Sequence, residues 1–237
     1  MRENRLWATT IVVPVFNAPD SVRSCLASLD ECYPSVRTVV VDDASDEVTK
    51  ELLRSWEKGL QAPRMVIWRQ YRGWFTRAVN QGLRDAMEHS EWVVTLNSDC
   101  VVGAGALEEM FAVWDVASAL GTVGVVGSEG PQPPSHPRWD IRREPGYVTG
   151  HAYLLNSAIM RERGLRFPQA ENEVGGFSAY DLVHINSDRA LCYQMNRMGM
   201  LVVASYHSAI GHAGGASWSY RLNEVAAAGA EVMRREP

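Results

Sequence analysis

The sequence lacks a long hydrophobic run, a basic cluster and closely spaced cysteines, and each absence excludes a class of protein. Its longest apolar runs are far too short to cross a bilayer, and the N-terminus has no signal-peptide core. Lysine plus arginine number 23 against 28 acidic residues, a formal net charge of −5 that gives nucleic-acid binding little support. The four cysteines have neither CxxC spacing nor high density, which fits reduced thiols. We therefore expect a cytoplasmic globular protein with no transmembrane segment and no nucleic-acid partner.

The length and the absence of repeats favour one domain. A chain of 237 residues can bury a substantial core, and α/β folds of this size often form a single unit. A segment rich in proline, residues 129–145, predicts a long loop near the middle of the chain. We expect a single domain over residues 1–237, with one half at about 8–128 and the other at about 129–237.

Apolar strand patterns alternate with helical patterns, which predicts an α/β fold. The first strand is Thr9 to Val15, whose Pro14 suits an exposed strand end, and a helix follows with Asp20 as a plausible N-cap. The second strand, Val36 to Asp43, completes a strand–helix–strand unit of a parallel sheet. Further predicted strands are 65–68, 92–96, 123–127, 147–156 and 200–204, and further predicted helices are 47–56, 76–87, 106–114, 186–198 and 222–235.

Polar residues follow two of the predicted strands and mark a candidate site. Asn97, Ser98 and Asp99 come directly after the strand at 92–96. Ligands in open α/β sheets bind beyond the carboxyl ends of the strands, so Asp99 is a candidate functional residue. The alternative is that these three residues make a turn and cap the next helix.

Asp42 and Asp43 end the second strand as adjacent carboxylates. Such a pair repels itself, so a strand end that carries both usually has donors to satisfy them. One carboxylate can cap the helix that begins at Glu47 while the other points into the crevice. Arg77 and Asn80 lie on the first turns of the helix at 76–87, near the same crevice, although single polar residues on helices are solvated by default. Gly150, inside the strand expected at 147–156, indicates close approach of a ligand or another backbone.

Taken in order, these stretches resemble the family-2 glycosyltransferases of the GT-A fold over residues 9–217. VVPVFNA resembles the family's first strand and turn, VVVDDAS its VVDDGS segment, and AVNQG its A-x-N-x-G segment. LNSD resembles the metal-binding D-x-D, and Gly150 falls where the family has a glycine beside the donor sugar. NSDRALCYQMNRMG resembles the segment that carries the catalytic base, and GHAGGAS the segment of a C-terminal histidine.

This resemblance implies an inverting transferase with a Rossmann-like, mostly parallel sheet. The substrates would be a nucleoside-diphosphate sugar and a carbohydrate or other hydroxyl-bearing acceptor, bound by the first and second halves respectively. Asp99 and His212 would hold Mn²⁺ or Mg²⁺ against the departing diphosphate, and Asp188 would be the general base. The implied nucleotide-sugar-binding residues are Pro14, Phe16, Asn17, Asp42, Asp43, Arg77, Asn80, Asn97, Ser98 and Gly150.

The sequence departs from the family pattern at several positions. Asn97 replaces the first acid of the metal motif, and Ser187 replaces the glutamate before the base. Ala190 and Gln194 replace the aspartate and arginine that follow the base, and the glycine before Asn80 lies one residue further away than usual. A non-catalytic relative that binds a sugar nucleotide or a carbohydrate is therefore an alternative. A nucleotidyltransferase is a weaker one, because residues 16–20 contain no glycine, lysine or arginine to hold a triphosphate.

Overall fold

A computed structural model of the chain describes residues 2–59, 63–133, 135–143, 146–168 and 187–212. The helices are α1 (Arg2–Trp7), α2 (Pro19–Cys32), α3 (Glu47–Glu57), α4 (Trp74–His89), α5 (Ala106–Ser118), α6 (Ser157–Glu162) and α7 (Ser187–Arg197). The strands are β1 (Thr9–Val15), β2 (Arg37–Asp42), β3 (Arg64–Trp68), β4 (Trp92–Leu96), β5 (Cys100–Val102), β6 (Val123–Ser128), β7 (Trp139–Arg142), β8 (Ala152–Asn156), β9 (Leu201–Ser205) and β10 (Ile210–His212). The helix expected at 222–235 lies outside the described residues.

Eight strands form one sheet in the order β3-β2-β1-β4-β8-β6-β9-β7. Four of its seven neighbouring pairs are parallel: β2 with β3, β1 with β2, β1 with β4, and β6 with β9. The remaining three pairs are antiparallel. The expected mixed α/β architecture, with a mostly parallel central sheet flanked by helices, is confirmed. Strands from before and after residue 128 alternate in the order β4-β8-β6-β9, so the two expected halves share one sheet.

Helices cover both faces of the sheet. β1 is buried along its whole length, and its side chains point alternately to the two faces. Ile11 and Val13 belong to the hydrophobic cluster on the α2 and α5 face, whereas Val12 belongs to the cluster on the α4 and α7 face. Gly82 lets α4 approach β1, because a Cβ at this position would overlap a methyl group of Val12.

Two expectations for the first strand–helix unit are wrong. Pro14 is buried, not at an exposed end. It is tolerated because β1 pairs with β4 only as far as Val12, two residues earlier. Asp20 is not the N-cap of α2. That position is Ala18 in the left-handed region (φ 57°), with no side-chain cap, and Pro19 starts the helix.

Other differences arise where burial or pairing depends on distant elements. The apolar side chains of Val48 on α3 and Met198 after α7 are 63% and 48% exposed, so neither belongs to the core. The proline-rich segment contains the strand β7, which pairs with β9, and the short strand β5 was not expected. β8 begins only at Ala152, so Gly150 precedes the strand. In the part of the chain that the structure describes, none of the helices combines the length and apolarity that crossing a membrane requires.

Candidate active site

A crevice lies where β1, β2 and β4 reach their carboxyl ends. It includes six residues expected to bind the donor or the metal: Pro14, Phe16, Asp43, Asn97, Ser98 and Asp99. Val15, Ala18, Arg72, Trp74, Phe75 and Ala78 complete its lining. The sheet therefore brings together the carboxylates of Asp43 and Asp99, which are 56 positions apart in the sequence.

Asp43 and Asp99 are the two buried carboxylates of this crevice, and the contacts of Asp43 come from its neighbouring loop. Oδ1 of Asp43 accepts a hydrogen bond of 2.7 Å from the Gly73 N–H and lies 2.8 Å from Arg69 Nε. Burial raises the pKa of Asp43 above the ordinary aspartate value, and the Gly73 N–H and the Arg69 charge counteract part of that rise. The donors expected for an acidic strand end thus come from the loop between β3 and α4.

Asn17 and Asp42 brace the turns beside the crevice. Asp42 is fully buried, and its Oδ1 accepts from the Ser45 N–H at 3.2 Å. Asn17 receives the Asp46 N–H at its Oδ1 (2.8 Å) and donates its own N–H to Ser45 Oγ (2.9 Å). The cap of α3 is Asp46, which accepts from the Thr49 N–H at 2.8 Å, so neither Asp42 nor Asp43 caps this helix. Contact of Asn17 or Asp42 with a donor nucleotide stays a prediction.

Asp99 and His212 meet although they are 113 positions apart. β10 pairs antiparallel with β5, which places His212 opposite Cys100 and its Nε2 3.1 Å from Asp99 Oδ1. Asp99 is only 6% exposed, whereas His212 lies at the surface. The imidazole of His151 stacks on that of His212, with centroids 5.0 Å apart and planes inclined by 11°.

The donor atoms at this place fit a divalent cation of the manganese or magnesium class. Asp99 Oδ1 and His212 Nε2 offer a carboxylate oxygen and an imidazole nitrogen, and Cys100 lies in the same group of potential ligands within 4.8 Å. Burial raises the pKa of the Cys100 thiol far above its usual range, and its S–H donates to the His151 carbonyl. Mn²⁺ and Mg²⁺ prefer oxygen donors to a soft sulfur donor, and imidazole suits Mn²⁺, so Asp99 and His212 are the side chains that fit.

Asp188 lies in the first turn of α7, and its carboxylate is fixed by backbone donors. Oδ2 accepts from the Gly150 N–H at 3.1 Å, and Oδ1 accepts from the Arg189 N–H at 2.7 Å. A Cβ on Gly150 would lie 2.5 Å from the Asp188 Cβ, so only glycine permits this approach. Burial raises the pKa of Asp188 against the effect of these donors, which makes the carboxylate a stronger base than an exposed one.

A second cavity joins Asp188 to the metal-binding candidates. His212, Asn97 and Gly150 line it together with Asp188. The other lining residues are Phe75, Glu129, Gly130, Pro131, Gln132, Thr149, His151, Ser187, Ile210 and Gly211. Phe75 and Asn97 also line the first crevice, so the two cavities adjoin.

Arg77 and Asn80 are not among the residues that line either cavity. Arg77 is exposed on α4. The Asn80 amide is buried and binds the backbone of Phe167 at both ends, donating to the carbonyl at 2.7 Å and accepting from the N–H at 3.0 Å. Asn80 thus links α4 to the segment after α6. A contact of Arg77 or Asn80 with the donor stays a prediction.

Sequence reasoning did not assign Arg72, Trp74, His151 or Glu129 to the site. The guanidinium carbon of Arg72 lies 3.7 Å from the ring centroids of both Phe16 and Trp74. For Arg72 and Trp74, one feature of the sequence indicated an altered loop: the glycine before Asn80 lies one residue further away than in the family pattern. His151 and Glu129 carried no signal, because their place in the cavity depends on long-range strand pairing.

Comparison with known proteins identifies the family. The model of glycosyl transferase family 2 matches residues 10–182, well over half of the chain. The chain belongs to glycosyl transferase family 2. The match includes every residue that lines the first crevice, and Gly150 of the second cavity, but ends before Asp188 and His212. No curated protein matches the chain.

Solved structures show that this family-2 chain has the GT-A fold. S. aureus TarS 1–349 in complex with UDP-GlcNAc has a TM-score of 0.58 at 16% identity, covering 84% of this chain and 56% of that one. The Pyrobaculum calidifontis mannosyltransferase PcManGT, in complex with GDP-Man and Mn²⁺, has a TM-score of 0.61 at 20% identity, covering 97% and 65%. GalNAc-T7 with UDP, GalNAc and Mn²⁺ has a TM-score of 0.60 at 14% identity, covering 89% and 43%. The chain therefore spans between about two fifths and two thirds of the length of these proteins.

Proposed function

We propose that the protein transfers a sugar from a nucleoside-diphosphate sugar to an acceptor hydroxyl, with inversion at the anomeric carbon. The observation that carries this proposal is the shared cavity, which Asp188 and His212 both line beside the crevice of Asp43 and Asp99. The candidate general base Asp188 and the candidate cation-binding pair therefore lie next to the crevice in which we place the nucleotide. Family membership and the UDP-GlcNAc and GDP-Man complexes of similar folds support the same reaction class.

Asp188 supplies the base in this reaction. The acceptor oxygen forms a bond to the anomeric carbon as the bond from that carbon to the diphosphate oxygen breaks, and the acceptor proton passes to the Asp188 carboxylate. The Gly150 and Arg189 N–H groups orient the carboxylate before the acceptor arrives. A single displacement of this kind inverts the anomeric configuration.

Asp99 and His212 hold the cation, which is Mn²⁺ or Mg²⁺ in this proposal. When bound, the ion neutralises the charge that develops on the departing diphosphate. The imidazole favours Mn²⁺ somewhat over Mg²⁺, because nitrogen ligands suit transition metals. Asp43 and the residues around it bind the nucleoside, and residues 129–237 shape the acceptor side. A cytoplasmic location and a single-domain organisation in two halves belong to the same proposal.

A donor-consumption assay tests the proposal. The purified protein is incubated with panels of UDP- and GDP-sugars and candidate acceptors, with Mn²⁺ or with chelator, and the released nucleoside diphosphate is measured. We expect release that requires the metal and falls about 10²–10⁴-fold in Asp188→Asn. The matched control is Asp140→Asn, which changes an exposed aspartate on β7. A product of retained configuration by NMR, or wild-type turnover in Asp188→Asn, would overturn the assignment of the base.

The non-catalytic alternative rests on the altered neighbours of Asp188. Ser187, Ala190 and Gln194 replace the usual family residues there. Binding of a donor without release of nucleoside diphosphate under any metal condition would favour this alternative. Two observations support catalysis instead. The Asp188 carboxylate accepts hydrogen bonds from two backbone N–H groups, and it lines the same cavity as His212.

A further inference from the structure

His151 contacts both sides of the candidate cation site. Its carbonyl accepts the Asn97 N–H at 2.8 Å and the S–H of Cys100 at 3.5 Å, so its backbone is bound to the turn that carries Asp99. Its imidazole stacks on that of His212, with the two planes inclined by only 11°. One residue thus links the turn of Asp99 to the ring of His212.

His212 is an exposed side chain on a short strand. It is the last residue of β10, a strand of three residues that pairs with β5, another strand of three residues. Its Nε2 lies 3.1 Å from Asp99 Oδ1. A metal-binding imidazole needs one fixed orientation, and residues outside the set of ligands usually provide the restraint. The stacked ring of His151 is in the position to provide it.

The ring of His151 has a fixed place of its own. The residue is only 8% exposed, and β8 begins directly after it at Ala152, which pairs with Leu96. On its other side the Gly150 N–H donates to Asp188 at 3.1 Å. A side chain that is buried on a backbone held on both sides offers His212 a rigid, flat surface.

The contact between the two imidazoles is a contact of ring faces. Their centroids are 5.0 Å apart, within the range of stacked aromatic rings. The buried Nε2 of His151 has no hydrogen-bond partner among the residues that the structure describes. The face of the ring, and not this nitrogen, therefore makes the contact, and another flat ring of similar size can replace it.

We infer that His151 is a positioning residue, whose ring face holds the His212 imidazole in the orientation that binds the cation. The inference rests on the proposed function, since it concerns the cation site of the same reaction. His151 does not belong to the group of potential ligands around Asp99, so it acts through His212. It does not line the first crevice, so its side chain should affect cation affinity and leave nucleotide affinity unchanged.

Titration of the full chain with Mn²⁺ alone, followed by electron paramagnetic resonance, tests this inference. His151→Leu keeps an apolar side chain but loses the flat face, and we expect the Kd for Mn²⁺ to rise about three- to tenfold, the size of one stacked ring pair. His151→Met is a second non-aromatic variant with the same expectation. His151→Phe keeps the face and should stay within about twofold of wild type. The matched control is His89→Leu, because the His89 side chain is 54% exposed on α4 and lines neither cavity.

Two further measurements separate positioning from a general structural role. In a His212→Ala background, His151→Leu should not weaken Mn²⁺ binding further, because its effect passes through His212. Calorimetric affinity for UMP and GMP without metal should be the same in the His151 variants as in His89→Leu. Every variant keeps the backbone carbonyl that binds Asn97, and thermal melting verifies that each is folded.

The outcomes distinguish this inference from the proposed function. Wild-type Mn²⁺ affinity in both His151→Leu and His151→Met, or equal weakening in His151→Phe, would overturn the role of the ring face. The same loss in the His212→Ala background would overturn action through His212. Wild-type protein that binds no Mn²⁺, alone or with UDP or GDP, would overturn the cation site together with the inference. The expected order of Mn²⁺ affinities without release of nucleoside diphosphate from any donor would support the inference and overturn the transfer reaction.

Discussion

Gly150→Ala tests whether the position of Asp188 controls turnover. The added Cβ would lie 2.5 Å from the Asp188 Cβ and 3.0 Å from its Oδ2, where ordinary contacts of carbon atoms need about 3.5–4.0 Å. Asp188 must therefore shift by roughly 1 Å, since the Gly150 backbone is tied to the carboxylate. A displacement of this size costs on the order of 10²-fold in rate. The overlap also destabilises the fold by about 1–3 kcal/mol.

The assay is steady-state release of nucleoside diphosphate, combined with calorimetric affinity for the nucleotide. We expect kcat to fall about a hundredfold with little change in nucleotide affinity, because Asp43 and Phe16 lie in the other cavity. In an Asp188→Asn background the same glycine substitution should change the rate little further, as residues acting as one unit are not additive. Gly121→Ala is the control, since its Cβ would meet Leu201 at an ordinary 3.5 Å. Wild-type turnover in Gly150→Ala would refute the reasoning.

Four further predictions concern individual residues. Asp99→Ala should keep the fold but lose the rise in melting temperature that Mn²⁺ with UDP or GDP produces; an unchanged rise would place the cation elsewhere. Asp43→Ala should weaken nucleotide binding about ten- to a hundredfold by calorimetry. It should also lower the free energy of unfolding by about 1–3 kcal/mol, because the Gly73 N–H loses its buried acceptor. Asn80→Ala should lower the free energy of unfolding in urea by about 1–3 kcal/mol without changing metal affinity, since both hydrogen bonds to Phe167 are lost. The raised pKa of Asp188 should put the acidic limb of kcat above the ordinary aspartate pKa of 3.8. The folded state then holds the proton more tightly than the unfolded state, so the free energy of unfolding should fall as pH rises through the same window, and Asp188→Asn should remove this dependence.

The sequence predicted the elements whose burial is decided locally. β1 and β4 have the predicted bounds because each is a mostly apolar run that is buried on both faces of the sheet. The crevice followed from the rule that ligands lie beyond such strands, and it contains Asp43 and Asp99 as expected. Details decided by backbone turns were less accessible. The cap of α3 is Asp46, since its extended backbone lets the side chain reach the Thr49 N–H, and three aspartates within five positions gave no means of choosing among them.

The residues that complete the site depend on pairings between distant parts of the chain. His212 reaches Asp99 only because β10 pairs with β5, a strand of three residues that periodicity could not reveal. His151 is fixed by its carbonyl, which accepts the Asn97 N–H at 2.8 Å across the junction of β4 and β8. Residue order along the chain identifies the candidates, whereas strand register decides which of them share a cavity.

The conformation of the segment from Arg69 to Trp74 is decided by its contacts with distant parts of the chain. The helix that follows this loop is anchored on two sides, because Asn80 binds the backbone of Phe167 and α4 packs on β1. At the start of this helix the N–H of Gly73 donates to Asp43, and Trp74 adopts its left-handed conformation. A rigid helix on one side and a buried carboxylate on the other leave the Trp74 side chain a position beside Phe16 and Arg72. The place of the Trp74 side chain in the crevice thus depends on α4 and Asp43 as well as on the loop itself, which is why sequence reasoning did not assign it to the site.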